Sequence, residues 1–429
     1  MDAKISVSHI GGSVAVPPSK SAAHRAVLCA ALAGGTSRID NIEYSDDIRA
    51  TLGAVRQLGA RVSCDQTSVT IQGCGGGFAT VTRPVFCNES GSTLRFLIPV
   101  FSLTAQKIRF TGAGRLFARP QEIYRALFTK QALRFEQAPD SLTIFGRLRP
   151  GVFTLPGDVS SQFISGLLFA APLLESDSTI QVLPPFESHS YVGMTMDALA
   201  RFGVRTAQTS GPEGKTILTI PAPQRYRSCN MSVEGDYSQA AFPAVLGTLT
   251  GGVTVTGLSP DSHQGDKVIL DILRRCGGKF SVSADGVRFE RSLLRAAPID
   301  LADCPDLGPV LMAMACFCSG TTVITNAGRL RLKESDRIAA MQTELAKFGG
   351  KVKSSGGTMT IEGGALHAPE TPLDGHNDHR VVMSLAVAAL GAGVPALIRG
   401  ANAVAKSWPE FFDAMRGIGA RVELTGTEE

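Results

Sequence analysis

The sequence predicts an α/β chain of two domains, each assembled from three βαβαββ units. Two observations carry that prediction. A short pattern recurs six times: a helix end, a small residue, a basic residue and a strand. Its copies lie at 56–62 (RQLGARV), 129–135 (TKQALRF), 200–205 (ARFGVR), 274–280 (RRCGGKF), 346–352 (AKFGGKV) and 416–422 (RGIGARV). The small residues are Gly59, Ala132, Gly203, Gly277, Gly349 and Gly419, at intervals of 73, 71, 74, 72 and 70. The second observation is arithmetic: six units in 429 residues average 71.5 each, so the repeat accounts for the whole chain. A small residue, usually glycine, between a helix and a strand marks a helix end, and a fixed period marks repeated units.

Each unit reads in the same order. A polar or glycine-containing loop opens an apolar helix, expected at 21–33, 90–104, 160–175, 238–249, 307–319 and 379–390. A small-residue stop and a short β-branched strand follow, at 37–42, 107–111, 179–183, 253–257, 322–325 and 396–398. A second loop leads into an amphipathic helix that ends at the small-residue anchor. Two strands around a turn close the unit, as in 61–73 (RVSCDQTSVTIQG) and 279–291 (KFSVSADGVRFER). A three-plus-three split gives a first domain at 19–229 and a second at 1–18 with 230–429.

Composition excludes several classes. With 44% hydrophobic residues the chain is neither disordered nor, lacking a glycine period, collagen-like. The longest apolar runs, near 310–318 and 381–390, are about half of what a membrane helix needs. An acid at position 2 and no apolar stretch behind it argue against an export signal, so a cytoplasmic protein is expected. The nine cysteines form no paired framework. Cys316 and Cys318 are placed inside an apolar helix, and buried reduced thiols are expected. Forty-two Lys and Arg against 38 Asp and Glu leave a net charge of +4, too little, with 6% aromatics, for a nucleic-acid surface.

Equivalent units pack alike, so the starts of the six apolar helices are expected to cluster at one face of each domain. Free N–H groups and a partial positive charge there suit anions. The loops at those starts read 18–25 (PSKSAAHR), 88–95 (NESGSTLR), 157–163 (GDVSSQF), 235–241 (GDYSQAA), 304–307 (CPDL) and 376–380 (HNDHR). Second loops read 114–120 (GRLFARP), 187–191 (ESHSY), 329–337 (RLRLKESDR) and 403–408 (AVAKSW). Arginine, lysine, serine and glutamine in this setting are what phosphate and carboxylate groups require. One such loop is readily explained by helix caps and solvated charges; ten at equivalent positions are not. Three stretches are set aside. The 211–216 segment (GPEGKT) imitates a P-loop but falls at a hairpin turn, and 73–77 (GCGGG) only turns the chain. His376 and His379 lack a matching third metal ligand, so no metal is expected. His24 and His189 fit a structural or a site role equally.

These loops, in order, resemble one family along the full length: the enolpyruvyl transferases, and within them the branch that acts on shikimate 3-phosphate. The motifs are Pro18-Ser-Lys-Ser with Arg25, Gly91-Ser-Thr with Arg95, Ser160-Ser-Gln162, Leu332-Lys-Glu-Ser-Asp-Arg337, Asn377-Asp-His-Arg380 and Ala405-Lys406. The resemblance implies two domains, each an inside-out α/β barrel of three βαβαββ units, with the active site in the interdomain cleft. It implies a transferase of alkyl groups other than methyl, which joins phosphoenolpyruvate to the 5-hydroxyl of shikimate 3-phosphate and releases phosphate through a tetrahedral intermediate, serving aromatic amino acid and chorismate biosynthesis. No cofactor, nucleic acid or membrane partner is implied, and a monomer is expected.

By the same resemblance Lys20, Ser21, Arg25, Ser160, Ser161, Gln162, Ser188, Asp306, Arg329 and Lys333 bind shikimate 3-phosphate, with Tyr191 nearby. Phosphoenolpyruvate meets Lys20, Gly91, Arg115, Gln162, Arg337, Arg380 and Lys406. Asp306 matches the acceptor of the hydroxyl proton. Glu334, Lys20 and Lys406 are candidates for donating a proton to the methylene carbon. Protonating that carbon develops cationic character at C2, which the hydroxyl oxygen attacks, so two separately placed proton-handling groups are required. The phosphonate inhibitor glyphosate is expected to overlap the phosphoenolpyruvate subsite, where Gly91 leaves room. Four positions depart from the family pattern: Glu89 and Ser92 in the 88–95 loop, Arg329 where some members carry Asn, and His24 where Asn is common. The sister activity on UDP-N-acetylglucosamine goes with Lys-Asn in the first loop and a cysteine in the second; here Lys20-Ser21 and a cysteine-free 112–120 stand instead. A non-catalytic anion binder would gain nothing from acids at Asp306 and Glu334.

Overall fold

The computed structural model describes residues 1–426. Twelve α-helices lie among them: α1 (Lys20–Leu32), α2 (Asp46–Leu58), α3 (Gly91–Ser102), α4 (Glu122–Lys130), α5 (Ser161–Ala170), α6 (His189–Arg201), α7 (Tyr237–Thr250), α8 (Ile269–Arg275), α9 (Gly308–Ala315), α10 (Arg337–Lys347), α11 (His379–Ala392) and α12 (Phe411–Gly417). The chain divides into two compact units, Pro18–Val233 and Glu234–Glu429 together with Met1–Pro17. Each unit has its own apolar core.

Six four-stranded sheets share one topology. In one of them, Val85–Phe86 runs parallel to Ile108–Thr111, which pairs antiparallel with Ser141–Phe145, and that strand with Arg134–Gln137. With α3 and α4 interposed, the chain order is β-α-β-α-β-β. The odd-numbered helices fill the interior of their units. Nearly every residue of α3, α7 and α11 is buried, whereas α2 and α10 bury one face. The six anchor residues all take left-handed conformations, with φ from 57° at Ala132 to 117° at Gly59. That geometry ends the amphipathic helix and admits glycine without steric cost.

Two differences from the linear reading have physical reasons. The units are not contiguous in sequence. Asp2–Ser6 supplies the closing strand of the last sheet, between Ala396–Arg399 and Arg421–Thr425. Gly12–Ala15 opens the fourth unit beside Val253–Thr256, and Met231–Ser232 opens the first beside Gly34–Asp40. Sheet edges left open by sequence-local strands are thus filled from far along the chain. The helix expected at 307–319 begins instead as a 3-10 turn at Pro305–Leu307, and α9 ends at Ala315. Cys316 therefore caps α9 and Cys318 lies in the turn beyond it, their thiols donating to the Met312 and Met314 carbonyls. Six cysteines are buried, but Cys64 is exposed and Cys74 and Cys229 are partly so.

Inside α3, Pro99 has no N–H for the Arg95 carbonyl four residues back. Tyr124 Oη of α4 donates to that carbonyl at 2.8 Å and to the Phe163 carbonyl at 3.0 Å. Gly166 makes room for it, since a Cβ there would lie 2.2 Å from Tyr124 Oη. This contact sets α3 against α5, whose starts carry Gly91, Ser92 and Ser160–Gln162.

Candidate active site

In the Pro18–Val233 unit three serines cap the inner helices. Ser19 accepts from Ala22 N, Ser90 from Thr93 N and Ser160 from Gln162 N. Neutral caps leave the positive helix ends uncompensated by an adjacent carboxylate. Lys20, on the first turn of α1, extends Nζ to Asp47 Oδ2 of α2 at 2.7 Å. Arg25, one turn further, is buried. Its Nη1 donates to the Ser21 carbonyl (2.6 Å), Nη2 to the Tyr191 carbonyl (2.7 Å) and Nε to Thr195 Oγ1 (2.9 Å). Burial lowers the Arg25 guanidinium to about 10. Ser188 stands at the start of α6 with φ of 54°.

Gln162 on the first turn of α5 joins two helices: Nε2 donates to Ser92 Oγ at 3.0 Å and Oε1 accepts from Arg95 Nη1 at 2.9 Å. Ser161 is buried beside it. His24 proves structural in its contacts: Nδ1 lies 2.8 Å from Thr51 Oγ1, which lies 2.6 Å from Thr93 Oγ1, itself donating to Ser90 Oγ at 2.8 Å. This hydroxyl chain ties together the starts of α1, α2 and α3. Burial, then Lys20 and Arg25, holds the His24 imidazole well below its usual range, so it is neutral.

The loop at 114–120 places its two arginines differently. Arg115 is exposed. Arg119 is buried, and a Cβ on Gly91 would lie 2.8 Å from its Nη2. The side chain thus lies against the start of α3. Sequence reasoning passed over Arg119 because both arginines occupy the same short motif, and the 3-10 turn at Leu116–Ala118 decides which one faces inward. Asp47 was missed as well; its only signal was a pair of acids opening a helix.

The second unit replaces the neutral caps with anionic ones. Asp236 caps α7, Asp378 caps α11, and Asp306 precedes α9. Around them gather the cations. Asp306 Oδ1 receives Lys333 Nζ (3.2 Å) and Arg337 Nη1 (3.1 Å), while Oδ2 lies 3.3 Å from Arg380 Nη2. Arg337, 1% exposed at its side chain, also meets Glu334 Oε2 at 2.8 Å and Asp378 Oδ2 at 2.8 Å. A buried guanidinium with this many carboxylate partners is held rigidly, since losing one would strand a charge. Arg380 Nη2 donates to Ser238 Oγ at 2.9 Å, and Nη1 to the Asp306 carbonyl at 3.0 Å. Lys406 Nζ reaches the Asn377 carbonyl at 2.6 Å, and Arg329 Nη2 the Ala302 carbonyl at 2.5 Å.

Burial alone would raise the Asp306 carboxyl, but Arg380, Lys333 and Arg337 hold it well below the usual carboxylate range. Asp378 is likewise low, because Arg337 outweighs burial. Burial pulls the Lys333 ammonium down although Asp306 opposes the shift. Asp306, Lys333, Glu334, Arg337 and Arg380 are thus one ion cluster, with Lys406 held on the adjoining loop. His376 and His379 turn to different neighbours, and no group of three metal-ligating side chains occurs among the described residues.

Known proteins match this chain over nearly its whole length. The family model for EPSP synthase (3-phosphoshikimate 1-carboxyvinyltransferase) aligns with residues 6–415. The chain belongs to the EPSP synthase family. A relative from Clostridium kluyveri named 3-phosphoshikimate 1-carboxyvinyltransferase is 40% identical over 427 residues, covering 98% of this chain and 97% of the relative. One of the same name from Clostridioides difficile is 37% identical over 431 residues, covering 98% of each. An EPSP synthase structure from Acinetobacter baumannii superposes with a TM-score of 0.80 at 25% identity, covering 99% of this chain and all of that one. The enolpyruvyl transferase NikO of Streptomyces tendae shares the fold, with a TM-score of 0.80 at 18% identity. Among the described residues no helix is long and apolar enough to cross a membrane.

Proposed function

We propose that this EPSP synthase family member transfers the enolpyruvyl group of phosphoenolpyruvate to the 5-hydroxyl of shikimate 3-phosphate and releases phosphate. The observation that carries the reading is the Asp306 carboxylate, ionised among Lys333, Arg337 and Arg380, with Glu334 on the same guanidinium. Lys20, Ser21, Arg25, Ser160, Ser161, Gln162 and Ser188 are assigned to shikimate 3-phosphate, with Asp306, Arg329 and Lys333. Lys20, Gly91, Gln162, Arg337, Arg380 and Lys406 are assigned to phosphoenolpyruvate. Arg119 joins them in place of Arg115, on the strength of its burial against Gly91.

In this reading Asp306 accepts the hydroxyl proton. Three cations make it a weak base at rest. Substrate phosphate and carboxylate draw Lys333 and Arg380 toward themselves, and the carboxylate regains basicity as those contacts are shared. Glu334, or a lysine at 20 or 406, delivers the proton to the methylene carbon. The hydroxyl oxygen attacks C2; the tetrahedral intermediate then collapses by C–O cleavage, with phosphate leaving and the methylene proton returned. Binding both anionic substrates side by side supplies much of the rate.

Purified protein given shikimate 3-phosphate and phosphoenolpyruvate is expected to release phosphate without added metal, and Asp306→Asn to lower turnover at least ~100-fold. No release, or release only with UDP-N-acetylglucosamine as acceptor, overturns the reading.

A further inference from the structure

The loop 374–378 carries two site contacts yet contains consecutive residues in an unfavourable conformation. His376 and Asn377 both have φ of 50°, the left-handed region, and neither is glycine. Such a pair persists only where its surroundings over-determine it. The loop's functional contacts follow directly: the Asn377 carbonyl accepts Lys406 Nζ, and Asp378 receives Arg337. What holds the loop comes from the far end of α10. Glu344 lies seven residues, or two turns, beyond Arg337 and so on the same face of the helix. Its carboxylate is 2% exposed. Oε2 accepts Asp374 N at 2.9 Å and Lys347 Nζ at 2.8 Å, and Oε1 lies 3.2 Å from His376 Nε2. Asp374 Oδ1 in turn accepts His376 N at 2.7 Å, and Lys347 Nζ also donates to the Pro372 carbonyl at 3.0 Å.

We propose that Glu344 and His376 are positioning residues that clamp the 374–378 loop to α10, so that Asn377 fixes Lys406 for phosphoenolpyruvate. The helix grips the loop at both ends, through Arg337 on Asp378 and through Glu344 on Asp374 and His376. The inference rests on the enolpyruvyl-transfer reading for its substrate but on the loop geometry for its mechanics.

The charged groups facing His376 are Glu344 and Lys347 from α10 and Asp374 from its own loop. The hydrogen bond to Glu344 raises the imidazole, against burial, while Glu344 is lowered because His376, Lys347 and Asp374 N outweigh its burial. The histidine contribution is therefore complete below about 6.5 and is lost as pH rises through the raised value. The glutamate contribution is present above about 4.5 and is lost as pH falls through the lowered value.

The test compares wild type, His376→Ala, His376→Gln and Glu344→Gln in steady-state kinetics from pH 6 to 8.5. His376→Ala is expected to raise KM for phosphoenolpyruvate about fivefold at pH 6.5, more than it changes KM for shikimate 3-phosphate, as loss of one charge-assisted hydrogen bond implies. His376→Gln, whose amide still donates to Glu344, should recover most of that loss and remove the rise in KM with increasing pH that the clamp predicts for wild type. Glu344→Gln should show the same KM split. An unchanged KM for phosphoenolpyruvate in His376→Ala, or equal losses for both substrates, overturns the clamp. If wild type releases no phosphate, the activity reading fails, and the clamp is then judged by amide hydrogen exchange at 374–378. His376→Ala must accelerate that exchange about tenfold, or the clamp fails too.

Discussion

Gly91 shows how one missing methyl group shapes a site. It opens α3 at a helix start whose N–H groups suit an anion, and the Arg119 guanidinium lies directly against it. A Cβ would come within 2.8 Å of Nη2, closer than real contacts allow, so the guanidinium must swing aside. Gly91→Ala is expected to raise KM for phosphoenolpyruvate about tenfold, the cost of one displaced charge-assisted hydrogen bond. Initial-rate measurements with each substrate varied in turn check this. An unaltered KM for phosphoenolpyruvate would detach Arg119 from the subsite. The motif around Gly91 was readable in the sequence, because glycine at a helix start in a charged loop is itself the signal. The choice of Arg119 over Arg115 was not, since it turns on a few residues of 3-10 geometry.

At the scale of elements, the six anchors provide a comparison within one molecule. Five are glycines and one is Ala132, yet all six take positive φ. A left-handed alanine costs roughly 1–2 kcal/mol relative to a permitted conformation, partly offset by the greater unfolded-state freedom of glycine. Ala132→Gly is therefore expected to stabilise the protein by about 1 kcal/mol and raise the melting temperature by ~2 °C. Calorimetry that finds no gain would mean the turn after α4 relaxes differently from its five counterparts. Helix ends were legible because they obey local backbone sterics. The early end of α9 was not: Val310–Cys318 is uniformly apolar, and periodicity cannot say where a fully buried helix stops.

For the whole molecule, the N-terminal strand has two duties. Asp2–Ser6 sits centrally in the last sheet, with Ala3 and Ile5 fully buried between Ala396–Arg399 and Arg421–Thr425. It also steadies the turn that carries Lys406, since the Met1 carbonyl accepts Ala401 N and Asp2 Oδ1 accepts Gly400 N. Deleting residues 1–7 leaves Arg421–Thr425 without a partner and Ala396–Arg399 paired on one edge only, with Leu373–Asp374. A fall in melting temperature on the order of 10 °C is expected, from several lost ladder bonds and two buried side chains. Phosphoenolpyruvate binding should weaken further than stability alone explains. A truncated protein that melts and turns over normally would show that the strand is dispensable.

By itself the sequence determined the repeat, its period, where each amphipathic helix ends and the chemistry of the loops at the helix starts. These are local properties: sterics place glycine at left-handed turns, and polar residues collect where backbone N–H groups lack partners. Only the tertiary structure decided which charges meet. Asp306 finds Lys333, Arg337 and Arg380 across separations of 27, 31 and 74 residues, and Lys20 finds Asp47 across 27. It also decided that distant strands complete three of the sheets, and that aspartates cap one unit where serines cap the other. Such pairings depend on how buried helices set their starts side by side, because the desolvation of each ion is offset only by partners that packing delivers.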